Sequence, residues 1–199
     1  VIRTLSEFAA RRGEEIGYEN VYDYSLGNPS VPVPAEFTDC MIEMLQNSNP
    51  MELHGYSPSL GIPSVRAKIA ESLNKRFGMD YGPQHIFMAS GAAGALAHAY
   101  RAVTQPGDEI LTFAPYFPEY NPYVNLTGAV LKVVPADTGT FQINFGAFEE
   151  MLNEKVTAVL INSPNNPSGV VYSEETIERL AGILREKEEE YGHSVFIIS

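Results

Sequence analysis

A run of small residues lies where an apolar segment gives way to a helical pattern. Residues 89–96 read Ala-Ser-Gly-Ala-Ala-Gly-Ala-Leu. Small side chains let a ligand approach the backbone, and the free N–H groups and dipole of a helix start favour an anion. The segment lacks the Lys-Ser/Thr pair of a Walker loop and the Gly-x-Gly-x-x-Gly spacing of a dinucleotide fold. It predicts a phosphate-binding turn, with tight helix–sheet packing as the simpler alternative.

A second segment combines aromatic rings with proline. Residues 114–120 read Ala-Pro-Tyr-Phe-Pro-Glu-Tyr and follow a predicted strand. The two prolines stiffen the loop, so that one ring could stack on a flat cofactor. Packing of the rings onto the next helix explains this segment equally well.

A third segment is rich in amide side chains. Residues 162–169 read Asn-Ser-Pro-Asn-Asn-Pro-Ser-Gly and come directly after the strongest predicted strand. Proline and Asn side chains hold such a loop in one shape, which fixes amide donors that suit a phenolate or carboxylate oxygen. Ordinary turn chemistry is the alternative.

The elements around these loops alternate between strands and helices. Strands are predicted at residues 85–89, 109–113, 129–134, 156–162 and 195–199. Helices are predicted at residues 64–77 and after Ser173, which is a suitable N-cap. This alternation predicts an α/β fold with a doubly wound, mostly parallel sheet, in which ligands bind beyond the carboxyl ends of the strands.

The first part of the chain has a different pattern. An extended stretch contains Pro29, Pro32 and Pro34, one helix is predicted near residues 35–46, and residues 47–61 read as a loop. We interpret residues 1–50 as an N-terminal arm with part of a small domain. Residues 51–199 are predicted to form a larger, ligand-binding domain.

Composition excludes several classes of partner. The 199 residues contain 13 Lys and Arg against 25 Asp and Glu, a formal net charge of −12, and the basic residues are scattered. A nucleic-acid partner is therefore not expected, because such a partner requires clustered positive charge. The apolar runs are far shorter than the roughly 18 residues needed to span a bilayer, so no membrane segment is expected.

The chain has a single cysteine, Cys40. It cannot form an internal disulfide or a thiolate metal site, so we expect a reducing, cytoplasmic compartment and no metal. Phe37, Met41, Met44 and Leu45 recur around it at helical spacing. Cys40 is therefore expected to be a small core residue and not a catalytic thiol.

Together, the three loops resemble the class I/II aminotransferases, fold-type-I enzymes that use pyridoxal 5′-phosphate. Residues 25–29, Ser-Leu-Gly-Asn-Pro, share this resemblance, as do residues 56–61, Tyr-Ser-Pro-Ser-Leu-Gly, and Val65 and Arg66 after them. The resemblance covers nearly the whole chain. It implies that residues 51–199 are an incomplete large domain of the fold-type-I transferase fold.

The resemblance also implies which residues hold the cofactor. Gly91, Ala92 and Ala93 match the phosphate-binding turn, although many family members have Ser or Thr hydroxyls where this sequence has alanine. Phe117 matches the ring against the pyridine face, with Tyr116 as its alternative. Phosphate binding here would depend more on the backbone.

Three further residues are implied to bind cofactor or substrate. Asn166 matches the donor to the phenolic oxygen of the cofactor, and Gly27 matches a backbone contact to the substrate carboxylate; both are expected at the substrate. Tyr56 matches a tyrosine that reaches the cofactor phosphate of a partner subunit. A homodimer with shared sites is therefore implied.

The resemblance implies catalytic groups that the sequence does not contain. The family uses a Schiff-base lysine, an Asp paired with the pyridine nitrogen and usually an Arg for the substrate carboxylate. None of the five lysines of this sequence lies in a motif that matches the family's Schiff-base lysine; they are Lys68, Lys75, Lys132, Lys155 and Lys187. We expect these groups beyond Ser199, so the 199 residues alone should be inactive. The family neighbours of the predicted strand at residues 85–89 are expected there too.

The implied activity is transfer of an amino group between an amino acid and a 2-oxo acid, a reaction of amino acid metabolism. A pyridoxal-phosphate-dependent carbon–sulfur lyase is the alternative on the same fold, and a non-catalytic aminotransferase-like sensor domain is the alternative from another class. His54 and His98 are not expected to be catalytic. The sequence does not identify the amino acid or the 2-oxo acid.

Overall fold

The structure is a computed structural model that describes residues 2–25, 27 and 31–199. It forms two compact units, Val1–Pro58 and Ser59–Ser199. Helices α1 (Ile2–Ile16), α2 (Ala35–Asn47) and α3 (Pro50–His54) belong to the first unit. None of the helices in the described part of the chain is both long enough and apolar enough to cross a membrane.

The second unit is built on a four-stranded parallel sheet. Its helices are α4 (Pro63–Phe77), α5 (Gly91–Val103), α6 (Tyr120–Asn125), α7 (Phe145–Met151) and α8 (Glu174–Tyr191). Its strands are β1 (Glu109–Phe113), β2 (Val130–Val134), β3 (Val156–Leu160) and β4 (Phe196–Ile198), in the spatial order β2-β1-β3-β4. The predicted α/β class with a mostly parallel sheet is confirmed.

Both faces of the sheet are covered. Alternate residues of a strand point to opposite faces. Leu111 and Val159 are buried with residues of α7 and α8, whereas Ile110 and Ala158 are buried with residues of α5 and α6. Burial of both faces is typical of a parallel sheet whose strands are joined by helices.

Helix α8 begins and ends as its sequence dictates. The hydroxyl of Ser173 accepts a hydrogen bond from the backbone N–H of Thr176 at 3.1 Å, which caps the first turn. Leu180 and Leu184 are buried at helical spacing. The helix ends at Gly192, whose φ of 73° suits glycine. Each of these signals is local, and the prediction of this helix is confirmed.

The prediction of a strand at residues 85–89 is wrong. No strand of the described residues pairs with this segment. It is hydrogen-bonded instead to α4 and to the loop that precedes α4. The Arg66 Nε donates to the carbonyl of Ile86 at 2.8 Å, and the N–H of Met88 donates to the carbonyl of Leu60 at 3.3 Å. An apolar run becomes a strand only when a second strand supplies the ladder of hydrogen bonds.

Helix α2 confirms the helix predicted near residues 35–46, but it corrects the interpretation of Cys40. Cys40 is exposed, as are Phe37, Met41 and Leu45, and α2 has no buried residue. Helical spacing shows which side chains share a face. It does not show whether another element covers that face.

The segment predicted to be a loop at residues 47–61 contains α3. The side-chain oxygen of Asn49 accepts from the N–H of Met51 at 3.0 Å, and Pro50 occupies the first turn. Helix α1 was not predicted from the sequence.

Helix α5 begins in a backbone conformation that favours glycine. Gly91 has φ +68°, and a Cβ added there would meet no atom within 4 Å. Three residues later, a Cβ added to Gly94 would make ordinary contacts of 3.8 Å with Ser90 and 3.9 Å with Ala89. Alanine fits at both positions without a steric clash, so a comparison of the two substitutions isolates the effect of the backbone conformation at Gly91.

We expect Gly91→Ala to lower the free energy of unfolding by about 1–2 kcal/mol, because an L-residue is strained in the left-handed region. Gly94→Ala is the control and should leave stability unchanged or raise it by about 0.5–1 kcal/mol, because alanine is the better helix former. Urea denaturation followed by circular dichroism measures both. Equal effects of the two substitutions would contradict the strained start of α5.

The side chain of His193, in the turn after α8, is hydrogen-bonded to the segment before β3. Its Nε2 lies 2.9 Å from the carbonyl oxygen of Glu154, and its Nδ1 lies 3.1 Å from that of Ser194. A protonated imidazole donates to both carbonyls, whereas a neutral one donates to a single acceptor. The hydrogen bond to Ser194, followed by that to Glu154, raises the pKa of His193 above its ordinary value of 6.5.

This raised pKa predicts a pH-dependent contribution to stability. Folding favours the charged imidazole, so the contribution is complete below pH 6.5 and is lost as the pH rises through the folded-state pKa. We expect the difference in urea midpoint between the wild type and His193→Gln to be largest near pH 6 and to shrink toward about pH 9. A difference that does not change with pH would contradict the assignment.

Candidate functional site

The loops after β1 and β3 leave the same edge of the sheet. The two strands are parallel neighbours, with Thr112 opposite Leu160 at their ends. Residues 114–119, which we call the aromatic loop, follow β1, and residues 162–172, which we call the Asn-Pro loop, follow β3. The topology also directs the start of α5 toward this carboxyl edge, because a helix that leads by a short connection into a parallel strand runs antiparallel to it.

The start of α5 offers backbone donors to an anion. Gly91, Ala92 and Ala93 are exposed at the first turn of this 13-residue helix. Ser90 occupies the N-cap and makes no capping hydrogen bond with its side chain. The N–H groups of the first turn and the helix dipole can therefore act on a negatively charged group. The two alanines supply no hydroxyl, so these residues can offer an anion only backbone groups.

The aromatic loop places two rings against α6. The rings of Phe117 and Tyr120 form a T-shaped pair with their centroids 5.6 Å apart, and the ring of Tyr116 stacks on Tyr120 with a centroid distance of 6.4 Å. Tyr120 is buried, while Phe117 and Tyr116 are half-buried. The packing alternative is therefore observed, and each of these two rings keeps an exposed part.

Tyr100 of α5 belongs to the buried cluster against which these rings pack. Its side chain is fully buried in the same cluster as Tyr120, and its hydroxyl has no hydrogen-bond partner among the described residues. Burial raises the pKa of both phenols above the usual range. Neither phenol ionises near neutral pH. The two side chains therefore serve as uncharged packing partners for the rings of the aromatic loop.

Side-chain hydrogen bonds hold the Asn-Pro loop. The Oδ1 of Asn162 accepts from the N–H of Asn166 at 2.8 Å, and the hydroxyl of Ser163 accepts from the N–H of Tyr172 at 3.0 Å. Asn166 is exposed. Because its backbone is fixed, its carboxamide is presented from a defined position on the loop.

Asn165 joins the two loops, a role that the sequence analysis missed. Its Nδ2 donates to the carbonyl of Pro115 at 2.9 Å and to the hydroxyl of Ser168 at 2.8 Å. The bond within the loop has a sequence signal, because a short segment of Asn, Pro, Ser and Gly is typical of turns. The bond to Pro115 spans 50 positions and has no local signal.

Two of the predicted site residues, Gly27 and Tyr56, belong to the first unit. Both are exposed, and Tyr56 is fully so. The predicted substrate motif at residues 25–29 also includes Leu26, Asn28 and Pro29, which lie outside the described residues. The substrate contact of Gly27 and the partner contact of Tyr56 stay predictions.

Two lysines of the second unit lie beside carboxylates. Lys132 of β2 lies 3.7 Å from Glu109 at the amino edge, and Lys187 of α8 lies 2.6 Å from Glu190. Within residues 2–25, 27 and 31–199, no group of three or more His, Cys, Asp or Glu side chains could hold a metal ion.

Known proteins match this chain over most of its length. Residues 19–189 match the model of the family described as aminotransferase class I and II. The crystal structure of an amino transferase from Eubacterium rectale has a TM-score of 0.95 and 47% sequence identity, over 99% of this chain and 50% of that one.

Two curated relatives agree with that match. The aspartate aminotransferase of Thermotoga maritima is 34% identical over 85% of this chain and 44% of its own length. The probable aspartate/prephenate aminotransferase of Aquifex aeolicus is 33% identical over 90% of this chain and 43% of its own length. The chain thus spans about half the length of these relatives. It belongs to the class I and II aminotransferases, a family that depends on pyridoxal 5′-phosphate.

Proposed function

We propose that the protein carrying this chain is a pyridoxal-phosphate-dependent aminotransferase that moves an amino group between an amino acid and a 2-oxo acid. The observation that supports this most directly is the hydrogen bond from Asn165 to Pro115. It joins two of the three predicted cofactor loops at the carboxyl edge of a parallel sheet, where α/β proteins bind ligands.

The chemistry of the three segments fits the cofactor. Backbone N–H groups at Gly91, Ala92 and Ala93 suit its phosphate, because anions bind at helix N-termini. The partly exposed ring of Phe117 suits a flat heteroaromatic face, and the exposed carboxamide of Asn166 suits a phenolic oxygen. When bound, the cofactor supplies an electron sink for the α-carbon of the amino acid.

In this proposal each segment of the chain has one task. The start of α5 anchors the phosphate, and the aromatic loop sets the tilt of the ring by stacking. Asn166 donates a hydrogen bond that favours the ionised form of the phenolic oxygen. Gly27 and Asn166 lie at the substrate, with Gly27 offering its backbone to the carboxylate.

We also propose a homodimer in which Tyr56 reaches the cofactor phosphate of the partner subunit. The full exposure of this ring supports the proposal, because a tyrosine with a hydroxyl handle is well suited to an interface. A cytoplasmic location is proposed as well, on the single exposed Cys40, which suits a reducing compartment.

The reaction is tested by mixing the purified, cofactor-loaded protein with a panel of amino acids that begins with aspartate, the amino acid named in its relatives. We expect conversion of the cofactor to its aminated form, and regeneration by a 2-oxo acid. Release of pyruvate and ammonia would favour the lyase. Cofactor binding without either reaction would favour the sensor.

The place of Asn166 in the site is tested by Asn166→Ala. We expect the dissociation constant for pyridoxal phosphate to rise about tenfold, because a hydrogen bond to a charged oxygen is lost. Asn125→Ala changes an exposed asparagine at the end of α6 and serves as the control. Equal dissociation constants for the two variants would contradict the proposed contact.

The dimer is tested by light scattering and by Tyr56→Phe. We expect a mass of two protomers for both proteins, and cofactor binding weakened roughly fivefold to tenfold in the variant, because one hydrogen bond to phosphate is lost. Tyr24→Phe removes the hydroxyl of another highly exposed tyrosine of the first unit and should have no effect. A monomeric mass would contradict the shared site.

A further inference from the structure

The carboxamide of Asn165 crosses from the Asn-Pro loop to the aromatic loop. We propose that Asn165 is a positioning residue that keeps Phe117 and Asn166 in one arrangement, so that a ring and an amide donor meet the same ligand. Asn165 itself does not touch the ligand. The identity of that ligand as pyridoxal phosphate rests on the proposed function.

The sheet alone does not fix the spacing of these loops. The pairing of β1 with β3 ends at Thr112 opposite Leu160. The segments that follow the two strands are not paired with each other as strands. Past β1, the N–H of Ala114 donates to Val134 of β2, on the side away from β3. The bond from Asn165 to Pro115 spans the resulting gap at 2.9 Å.

Asn165 is itself held rigidly. Its backbone N–H donates to the carbonyl of Val170 at 2.8 Å, and its carbonyl accepts from the N–H of Gly169 at 2.7 Å. Its side chain is half-buried and also donates to Ser168. A donor fixed at both its backbone and its side chain transmits the position of one loop to the other, because little freedom remains between them.

The two functional residues lie close to this link along the chain. Phe117 is two residues after Pro115, and Asn166 directly follows Asn165. A shift of either backbone therefore moves the ring or the amide relative to the other. Looser supporting contacts weaken ligand binding, because the site must then be ordered when the ligand arrives.

The chain contains a matched control at the other edge of the sheet. Asn153 is also half-buried, and its Nδ2 also donates to one backbone carbonyl, that of Met151 at 3.2 Å, and one side chain, that of Glu109 at 3.0 Å. It precedes β3, and Glu109 begins β1, so this link lies at the amino edge. Loss of either asparagine removes one donation to a backbone carbonyl and one to a side chain. Asn153→Ala also removes the hydrogen bond that its Oδ1 accepts from the N–H of Lys155 at 2.9 Å, so this control loses at least as much as the Asn165 variants.

The experiment compares Asn165→Ala, Asn165→Asp and Asn153→Ala in the protein that carries this chain. Asn165→Asp keeps the shape of the side chain, but an ionised carboxylate cannot donate to the carbonyl of Pro115. The first readout is hydrogen exchange of the aromatic loop in the cofactor-free protein, detected on peptides that contain Tyr116 and Phe117. The second is the dissociation constant for pyridoxal phosphate.

We expect both Asn165 substitutions to speed exchange in the aromatic loop and to raise the dissociation constant about tenfold, which is the size of one lost hydrogen bond. Asn153→Ala should leave both readouts within about twofold of the wild type, since its lost bonds lie at the opposite edge. Thermal denaturation of all three variants shows how much stability each loses.

Equal effects of the Asn165 and Asn153 substitutions would overturn the positioning role, as would loss of folding in both Asn165 variants. Unchanged exchange in the aromatic loop would overturn it as well. If the wild type does not bind pyridoxal phosphate, the proposed function fails, while the exchange comparison still decides whether Asn165 couples the loops.

Discussion

The parallel pairing of β1 with β3 is the interaction on which the candidate site depends. Residues from Ile110 opposite Ala158 to Thr112 opposite Leu160 align the two strands. Since the strands are parallel, their carboxyl ends meet at one edge, and the aromatic loop and the Asn-Pro loop must begin there. Segments that lie 50 positions apart in the sequence thus become neighbours that a single side chain can join.

The two edges of this sheet have different chemistry. At the amino edge, the carboxylate of Glu109 accepts from Asn153 and lies near Lys132, while His193 binds the carbonyl of Glu154. These polar groups have partners within the chain. At the carboxyl edge, the first turn of α5 and the carboxamide of Asn166 are exposed. Donors left accessible beside a rigid sheet are what a ligand site requires.

Local signals made most of the fold predictable. The cap at Ser173 and the buried spacing that follows it lie within α8 itself, so the sequence could reveal that helix. The prediction of a strand at residues 85–89 was wrong because a strand needs a partner strand from elsewhere in the sequence. The prediction that Cys40 is a core residue was wrong because the sequence of a helix does not show which element packs on it. The hydrogen bond from Asn165 to Pro115 was unpredictable for the same reason, since nothing in the sequence near either residue indicates its partner.

The composition of the proposed phosphate-binding turn has a consequence for how a cofactor would be held. Ala92 and Ala93 carry no hydroxyl, so in the proposed site these two residues would offer a phosphate only their backbone N–H groups and the helix dipole. An anchor of this kind fixes the position of a phosphate but not the rotation of the ring attached to it. In the proposed site, Phe117 and Asn166 together would set this rotation. The distance between their loops, and hence Asn165, would then matter more than it would with a stronger anchor.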